Sequence, residues 1–228
     1  MNRNSIFLIF VGCLLVFGVF ALRSGKWDSY YKNKLYQTPQ ELVKKAASTF
    51  QEPGIALDLG CGVGNETAFL LQQGWIVYAV DAEAKAINTL KARHDLTSLN
   101  RLITLKTKFD GDLDWEALPS FDLICVCKAL PYCEKAKLLD VVKNIHTKIQ
   151  PGGKFAGHLF GVNCHGYSAD ETQEMSFLSR EEAVLLFKDF DVESFQEVEE
   201  EDTSGTGKSI HTHVYEIIAR KRLTSTAQ

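Results

Sequence analysis

The feature that most constrains this chain is a glycine-rich turn that follows directly on a short apolar segment. Residues 55–59 are mostly apolar, as in a parallel strand buried on both faces, and Gly60, Gly62 and Gly64 come next. Glycine permits a positive φ and lets a bound group approach the backbone without meeting a Cβ. The helix predicted to follow points its free N–H groups at the same place. The pattern therefore predicts a strand, a tight turn and a helix around a site for a polar or anionic group.

An acid at the end of the next strand extends this unit. The second predicted strand, residues 76–80, ends in Asp81, about twenty residues after the turn, where a carboxylate can accept hydrogen bonds from both hydroxyls of a ribose. A dinucleotide fingerprint has glycine at its first, third and sixth positions, whereas counting from Gly60 the third glycine, Gly64, is at the fifth. The spacing disfavours a pyrophosphate. A nucleoside-containing ligand other than NAD is expected, and an NAD-binding or unliganded α/β domain is the alternative.

Strands and helices alternate along the rest of the chain, which predicts a parallel sheet. Two further strands near the carboxyl end are joined without a helix and should therefore pair in antiparallel fashion. Ser179 and Glu182 form a capping-box pattern at the start of one helix. The predicted strands are 55–59, 76–80, 102–107, 121–127, 154–160, 192–198 and 213–219, with a turn at 151–153 and helices near 39–50, 66–73, 84–94, 135–149 and 179–187.

The glycine spacing, preceded by Asp58, resembles the Asp-x-Gly-x-Gly-x-Gly signature of class I S-adenosylmethionine-dependent methyltransferases. Residues 56–62, 74–77, 151–153 and 217–221 resemble in particular the TehB-like and thiopurine-methyltransferase-like branch of that family. The resemblance implies an α/β fold with a seven-stranded Rossmann-like sheet, made of five parallel strands and a C-terminal antiparallel hairpin, with helices on both faces. It also implies S-adenosylmethionine as the co-substrate.

The resemblance assigns each part of this co-substrate to particular residues. Asp81 is assigned to the ribose and Ala82 to the side of the adenine. Asp110 is the preferred acid for the adenine amino group, with Asp112 as the competing choice. The amino-acid end is assigned to Asp58, Gly60, Cys61, Gly62 and Gly64, and the methionyl part with the transferred methyl group to Cys127 and Lys128.

Each acid also has a purely structural alternative. Asp58 would then only hold the turn, Asp81 would cap the helix that follows it, and Asp110 would begin a turn. No metal site is expected, because the pairs Cys125/Cys127 and His211/His213 lack further ligands.

Methyl transfer from a sulfonium is an in-line displacement, in which positioning supplies most of the rate. A soft sulfur, selenium or tellurium nucleophile needs little help, whereas an alcohol or phenol would need a base such as His158 or His165. Some methyltransferases orient an amino or amide nitrogen with an Asn/Asp-Pro-Pro-Tyr arrangement. That arrangement is absent, because residues 129–132 read Ala-Leu-Pro-Tyr, so methylation of adenine or glutamine is disfavoured.

Composition limits the class of protein. A chain of 228 residues with 45% hydrophobic residues can bury one core, and a formal net charge of −4 disfavours a dedicated nucleic-acid binder. Its 6 cysteines have no paired spacing, which is typical of reduced thiols.

The first residues of the chain form an apolar segment, 6–22, with Arg3 before it and Arg23 and Lys26 after it. The length of this segment is near the lower limit for a membrane-spanning helix, and it also fits the apolar region of a signal peptide. The greater positive charge after the segment favours a single-pass anchor, with the following domain in the cytoplasm. Signal cleavage after residues 19–21, giving a secreted protein, is the alternative. Trp27, Tyr30 and Tyr31 would lie at the membrane surface, cover the ligand site or pack on the core.

The sequence therefore predicts four regions: a membrane anchor or signal-like segment at 1–26, a lead-in helical segment at 27–53, a methyltransferase domain at 54–222 and a flexible tail at 223–228. A small-molecule methyltransferase is expected. The alternatives are methylation of a membrane-borne quinone or lipid precursor, and a membrane-tethered protein that binds S-adenosylmethionine without turnover.

Overall fold

The computed structural model describes residues 28–96, 99–173, 175–203 and 208–223. The apolar segment at 6–22 lies outside these residues, as does most of the predicted tail. No helix in the described part of the chain is long and apolar enough to cross a membrane.

One mixed sheet of eight strands organises the domain, and seven of the strands follow the order β3-β2-β1-β4-β5-β8-β7. Strands β1 to β5 are parallel, and β8 lies antiparallel between β5 and β7. The predicted parallel sheet with a C-terminal hairpin is therefore confirmed. The strands are β1 Ile55–Leu59, β2 Ile76–Asp81, β3 Leu102–Lys106, β4 Phe121–Val126, β5 Ile149–Gly161, β6 Phe177–Leu178, β7 Phe190–Thr203 and β8 Ser209–Lys221.

The five predicted helices are present, most of them shorter than expected, and two further helices occur. The capping box at the start of one helix is confirmed, because the Ser179 hydroxyl accepts the Glu182 N–H and the Glu182 carboxylate accepts the Ser179 N–H. The helices are α1 Asp28–Lys34, α2 Glu41–Ala47, α3 Asn65–Gln72, α4 Ala84–Lys91, α5 Lys135–Lys148, α6 Ala169–Gln173 and α7 Arg180–Leu186, of which α1 and α6 were not predicted.

Helices cover both faces of the sheet, which explains why the parallel strands are apolar throughout. Leu57 and Leu59 of β1 face a core that includes Leu138 and Ile145 of α5. Ala56, which precedes them and lies on the opposite face, packs with residues of α2 and α3. The carboxyl ends of β1, β2 and β4 are thereby brought to one edge of the sheet.

Two elements differ from the sequence prediction. The turn predicted at 151–153 lies within β5, where the register against β4 shifts between Phe121 and Leu123. A Cβ on Gly153 would lie 2.8 Å from the Asp122 carbonyl oxygen, so glycine lets the two chains stay paired through the irregularity. The connection between the last two strands is shorter than predicted, because residues 199–202 continue β7 and pair with β8, with Glu199 opposite His213 and Glu201 opposite His211.

The sheet also gains the short strand β6, which pairs in parallel with the last two residues of β5. After β5 the chain leaves the sheet and leads through α6 to β6 at the carboxyl edge.

Candidate cofactor and acceptor site

The turn after β1 adopts the left-handed backbone that its glycines predicted. The φ angles of Gly60, Gly62 and Gly64 are 69°, 51° and 77°. The N–H groups of Gly60 and Cys61 both donate to the carbonyl oxygen of Val80, at 2.8 and 3.0 Å. The turn is therefore fixed to the end of β2.

The three glycines have different surroundings. A Cβ on Gly60 would overlap the Cβ of Ala129, just after β4, and a Cβ on Gly64 would overlap the Leu90 side chain of α4. Apart from its chain neighbours, no atom of the described residues lies within 4 Å of a Cβ built on Gly62. Gly60 and Gly64 thus allow close packing, whereas Gly62 presents open backbone to an incoming group.

Asp81 joins this turn to the start of α4. Its carboxylate accepts the Gly62 N–H at 2.9 Å and the Glu83 N–H at 2.8 Å. Burial raises the pKa of Asp81, and these two hydrogen bonds lower it in part. The bond to the Glu83 N–H corresponds to the structural alternative for Asp81, a hold on the start of the next helix. A carboxylate offers about four lone pairs, so its oxygens can still accept hydrogen bonds from a ligand. Ala82, next to it, is exposed.

Asp58 lies below the turn and is only 1% exposed. Its carboxyl group accepts a hydrogen bond from the Thr67 hydroxyl of α3 at 2.6 Å. Burial, together with the nearby Glu66, raises the pKa of Asp58 to about 7, against the opposing effect of hydrogen bonds from Thr67 and Cys125. Asp58 therefore joins α3 to β1, a structural contact that differs from the hold on the turn given as its alternative. Its contact with an amino-acid end stays a prediction.

Cys61 is buried against Ala79, Ile87 and Leu90. Burial raises the pKa of its thiol. The side chain of Cys61 is therefore part of the core under α4, and only its backbone faces the turn.

The two acids proposed for the adenine differ sharply. The Asp112 side chain is exposed, whereas Asp110 is buried. By geometry neither carboxylate oxygen of Asp110 has a hydrogen-bond partner among the described residues, although Lys108 Nζ is 3.3 Å from Oδ1 and the Cys133 thiol lies beside the carboxylate. Burial, with Asp110 nearby, raises the pKa of the Cys133 thiol to about 12. Burying a carboxylate without hydrogen bonds costs free energy. Asp110 would therefore be stabilised by a hydrogen-bond donor such as an amino group.

The end of β4 contacts the glycine turn through Ala129. Cys127 is partly buried, which raises the pKa of its thiol. Lys128 has a φ of 54°, and its N–H donates to Nδ1 of His158 at 3.3 Å. The sequence-predicted residues of β1, β2 and β4 are therefore brought together at one edge.

The two candidate bases, His158 and His165, contact other protein groups. His158 is only 1% exposed, and its second nitrogen, Nε2, lies 3.7 Å from a Glu216 oxygen. The ring of His165 stacks on His211 at 4.7 Å, outside this cluster of strand ends. Neither histidine is held with a free nitrogen facing the turn.

His211 and His213 bind carboxylates of β7. His211 lies between Glu199 and Glu201, at 2.9 and 3.0 Å, which raises its pKa. His213 Nε2 contacts Glu197 at 2.7 Å. These contacts are ion pairs and hydrogen bonds across the hairpin, in line with the packing and surface roles expected for both residues.

Sequence reasoning missed the contribution of the first helix. Tyr31 of α1 is buried against Val63 of the turn and Ala86 of α4. The side-chain amide of Asn65 donates to the Lys34 carbonyl oxygen at 2.8 Å. The sequence left three positions open for Tyr31: at the membrane surface, over the ligand site or on the core. In the structure Tyr31 packs on Val63 of the turn and on Ala86. Trp27 lies outside the described residues.

Arg93 was also missed, because no motif surrounds it. It is buried and donates to the Val63 carbonyl oxygen and to Asn65 Oδ1. Its guanidinium also forms two bonds with the Asp95 carboxylate and lies 4.8 Å from the centre of the Tyr36 ring. Arg93 therefore links the end of the turn, at Val63 and Asn65, to Tyr36 in the segment that follows α1.

Comparisons with known proteins agree with this geometry. Residues 57–155 match the family described as a methyltransferase domain. An uncharacterised methyltransferase of Synechocystis is 31% identical over 101 residues, which is 44% of this chain and 44% of that protein. The chain thus spans less than half the length of that curated relative.

Solved structures share the fold over most of the chain. The crystal structure of TehB from Haemophilus influenzae has a TM-score of 0.68 at 20% identity, covering 86% of this chain and 67% of that one. The Burkholderia thailandensis 1,6-didemethyltoxoflavin-N1-methyltransferase, crystallised with 1,6-didemethyltoxoflavin and S-adenosylhomocysteine, has a TM-score of 0.61 at 18% identity, covering 97% and 92%. At these identities the likeness shows the fold.

Alanine at Gly60 and at Gly62 should have different effects. Both positions need a positive φ, which costs a non-glycine residue about 1–2 kcal/mol. Gly60→Ala should lose about 1–3 kcal/mol more, because its methyl group overlaps Ala129. Gly62→Ala should fold and bind S-adenosylmethionine at least roughly tenfold more weakly, since the methyl fills open space beside the turn. Urea unfolding and calorimetric titration measure the two effects, and equal stability losses with unchanged binding would contradict them.

The raised pKa of Asp58 should make stability depend on pH. Between its unfolded value of about 4 and its folded value of about 7 the folded protein binds more protons than the unfolded chain, so the free energy of unfolding falls as pH rises. The slope contributed by Asp58 is at most about 1.4 kcal/mol per pH unit. Urea unfolding from pH 5 to pH 8 should show a steeper fall for the wild type than for Asp58→Asn. Identical slopes would show that Asp58 does not titrate in this window.

Proposed function

We propose that this chain is a class I S-adenosylmethionine-dependent methyltransferase that methylates a small molecule. The observation that carries the proposal is the open backbone at Gly62, whose N–H is already aligned by the Asp81 carboxylate. The glycine spacing, the order of the strands and the match over residues 57–155 support the same reading. A ligand at this position lies outside the carboxyl ends of parallel strands, where such sheets bind their ligands.

The donor-binding residues fit the parts of S-adenosylmethionine. The turn from Gly60 to Gly64 receives the amino-acid end, Asp81 receives the ribose hydroxyls, and Ala82 lies beside the adenine. Asp110 accepts the adenine amino group, which supplies the hydrogen-bond donor that its buried carboxylate lacks. This need favours Asp110 over the exposed Asp112.

The reaction transfers a methyl group: a bond forms between the acceptor atom and the methyl carbon as the carbon–sulfonium bond breaks, leaving S-adenosylhomocysteine. Cys127 and Lys128, at the end of β4, border this position. A nucleophile that needs no base suits the site, because His158 is enclosed and both its nitrogens face protein groups. A soft sulfur, selenium or tellurium acceptor is therefore the preferred class.

Calorimetric titration of the full chain with S-adenosylmethionine and with NAD tests the donor. Micromolar binding of S-adenosylmethionine alone is expected, and Asp81→Ala should weaken it by about 1–3 kcal/mol, the range for a lost hydrogen bond to a charged group. Binding of NAD in preference would contradict the proposal. An enzyme should accumulate S-adenosylhomocysteine in a cell extract, whereas a protein that binds without turnover should not. The methylated product should partition into water if the acceptor is soluble, and into organic solvent if it is a quinone or lipid.

The apolar segment at 6–22 and the positive charge after it support a membrane-anchored protein whose catalytic domain lies in the cytoplasm. After alkaline extraction, the full chain should sediment with membranes, whereas a chain that begins at residue 27 should not. Recovery of a shortened chain from the medium would instead favour the secreted alternative.

A further inference from the structure

We propose that His158 is a positioning residue, whose imidazole holds the end of β4 in the conformation that receives the methionyl part of S-adenosylmethionine. The inference rests on the proposed function and adds to it a residue that the sequence offered only as a candidate base. His158 acts through the backbone of Lys128, two residues after β4 ends, and not through contact with the ligand.

The pairing of β4 with β5 ends just before Lys128. Val126 lies opposite Gly157 in the last register pair of these two strands, so the ladder does not extend to the Lys128 backbone. A backbone N–H that is withdrawn from water needs an acceptor. The Lys128 N–H donates to Nδ1 of His158, the residue after Gly157, at 3.3 Å. The His158 ring therefore takes the place of the strand contact that is missing there.

Lys128 has a backbone conformation that a residue with a side chain seldom adopts. Its φ of 54° lies in the left-handed region, where the Cβ is crowded by the following carbonyl oxygen. Such a conformation persists where the surrounding structure imposes it. One residue later, Ala129 packs against Gly60 of the turn after β1. The left-handed residue is thus held at its N–H by His158 and on its other side by the contact with the turn.

The side chain of Lys128 does not account for this backbone. Its ammonium lies 3.6 Å from Asp202 and also near Glu216, and 30% of the side chain is exposed. A partly exposed ion pair of this length contributes little stability. The hydrogen bond to the buried ring is therefore better suited than these ion pairs to impose the left-handed conformation.

The His158 ring is itself fixed in one orientation. It is only 1% exposed, and because Nδ1 accepts the Lys128 N–H, the proton of the neutral ring is on Nε2. Nε2 lies 3.7 Å from an oxygen of Glu216, which is opposite His158 on β8. This distance is too long for a hydrogen bond but allows electrostatic attraction. Contact with His158 lowers the pKa of Glu216, so the carboxylate is charged at neutral pH and favours the tautomer that accepts from Lys128.

These contacts form a line across the sheet, from β8 to the turn after β1. Glu216 lies beside His158, His158 accepts the Lys128 N–H, and the next residue, Ala129, packs against Gly60. The methionyl part of the co-substrate is proposed to lie between this turn and the end of β4. If the Lys128 backbone were free, only a fraction of the molecules would present the binding conformation, and the apparent affinity would fall by that fraction. His158 thus contributes to binding by preorganisation.

The test compares His158→Asn with His158→Leu, because asparagine keeps an acceptor close to the position of Nδ1, whereas leucine has a similar shape without one. Each full-length variant is titrated calorimetrically with S-adenosylhomocysteine and with methylthioadenosine, which lacks the amino-acid end. His158→Leu should bind S-adenosylhomocysteine roughly tenfold more weakly than the wild type, the effect of one lost hydrogen bond, and methylthioadenosine equally well. His158→Asn should keep most of the affinity for both ligands.

The matched control is His213→Leu. His213 is also buried and also accepts a backbone N–H two residues beyond a strand, that of Asn163 at 3.2 Å, but it belongs to the hairpin. Its loss should lower stability in urea unfolding without changing either affinity. Equal affinity of the two His158 variants for S-adenosylhomocysteine, or a parallel loss for both ligands in His158→Leu, would overturn the inference.

Binding of S-adenosylhomocysteine to the wild type separates the two proposals. If the wild type binds it and both His158 variants bind it as tightly, only the inference about His158 fails. If the wild type does not bind it, the proposed function fails and the inference with it.

Discussion

The close approach of the turn after β1 to the end of β4 is the constraint on which the rest of the site depends. At Gly60 the two chains are so near that a methyl group would overlap Ala129, and the N–H groups of Gly60 and Cys61 share the carbonyl oxygen of Val80. Three neighbouring strands are thereby joined at one edge. The open backbone at Gly62 and the left-handed Lys128 lie on either side of this contact, so the same packing sets both positions.

Three buried acids around this edge are stabilised in three different ways. Asp58 takes a hydroxyl hydrogen bond and is held close to its neutral form, and Asp81 takes two backbone N–H groups. Among the described residues, Asp110 faces a lysine at 3.3 Å and the Cys133 thiol, and neither carboxylate oxygen has a hydrogen bond of good geometry. Because the cost of a buried carboxylate depends on its donors, the first two acids are supported by the folded protein itself. The third acid, Asp110, lacks a hydrogen-bond donor that a bound ligand can supply. Of the three acids, Asp110 is therefore the one whose burial most favours a role in ligand binding.

Sequence reasoning succeeded where a pattern reflects local physics. The strand positions followed from apolar runs, the positive φ angles from the glycines, and the capping box from Ser179 and Glu182, since each depends on residues close together in the chain. It failed where distant contacts decide. The sequence pattern ends a strand at residue 198, yet residues 199–202 continue β7 and pair with β8, where His211 lies opposite Glu201 and hydrogen-bonds with it. Tyr31 and Arg93 carry no motif, and only the folded chain brings them to Val63.

The sequence by itself determined the class of fold, the place of the glycine turn and the identity of the acid that closes β2. These depend on hydrophobic period and on the conformational freedom of glycine, which are properties of short segments. Only the tertiary structure decided that Gly62 is the open glycine, that Asp110 and not Asp112 is buried, and that His158 holds Lys128 rather than facing a ligand. Burial and hydrogen bonding depend on neighbours that are far apart in the chain, and those neighbours are set by how the strands and helices pack.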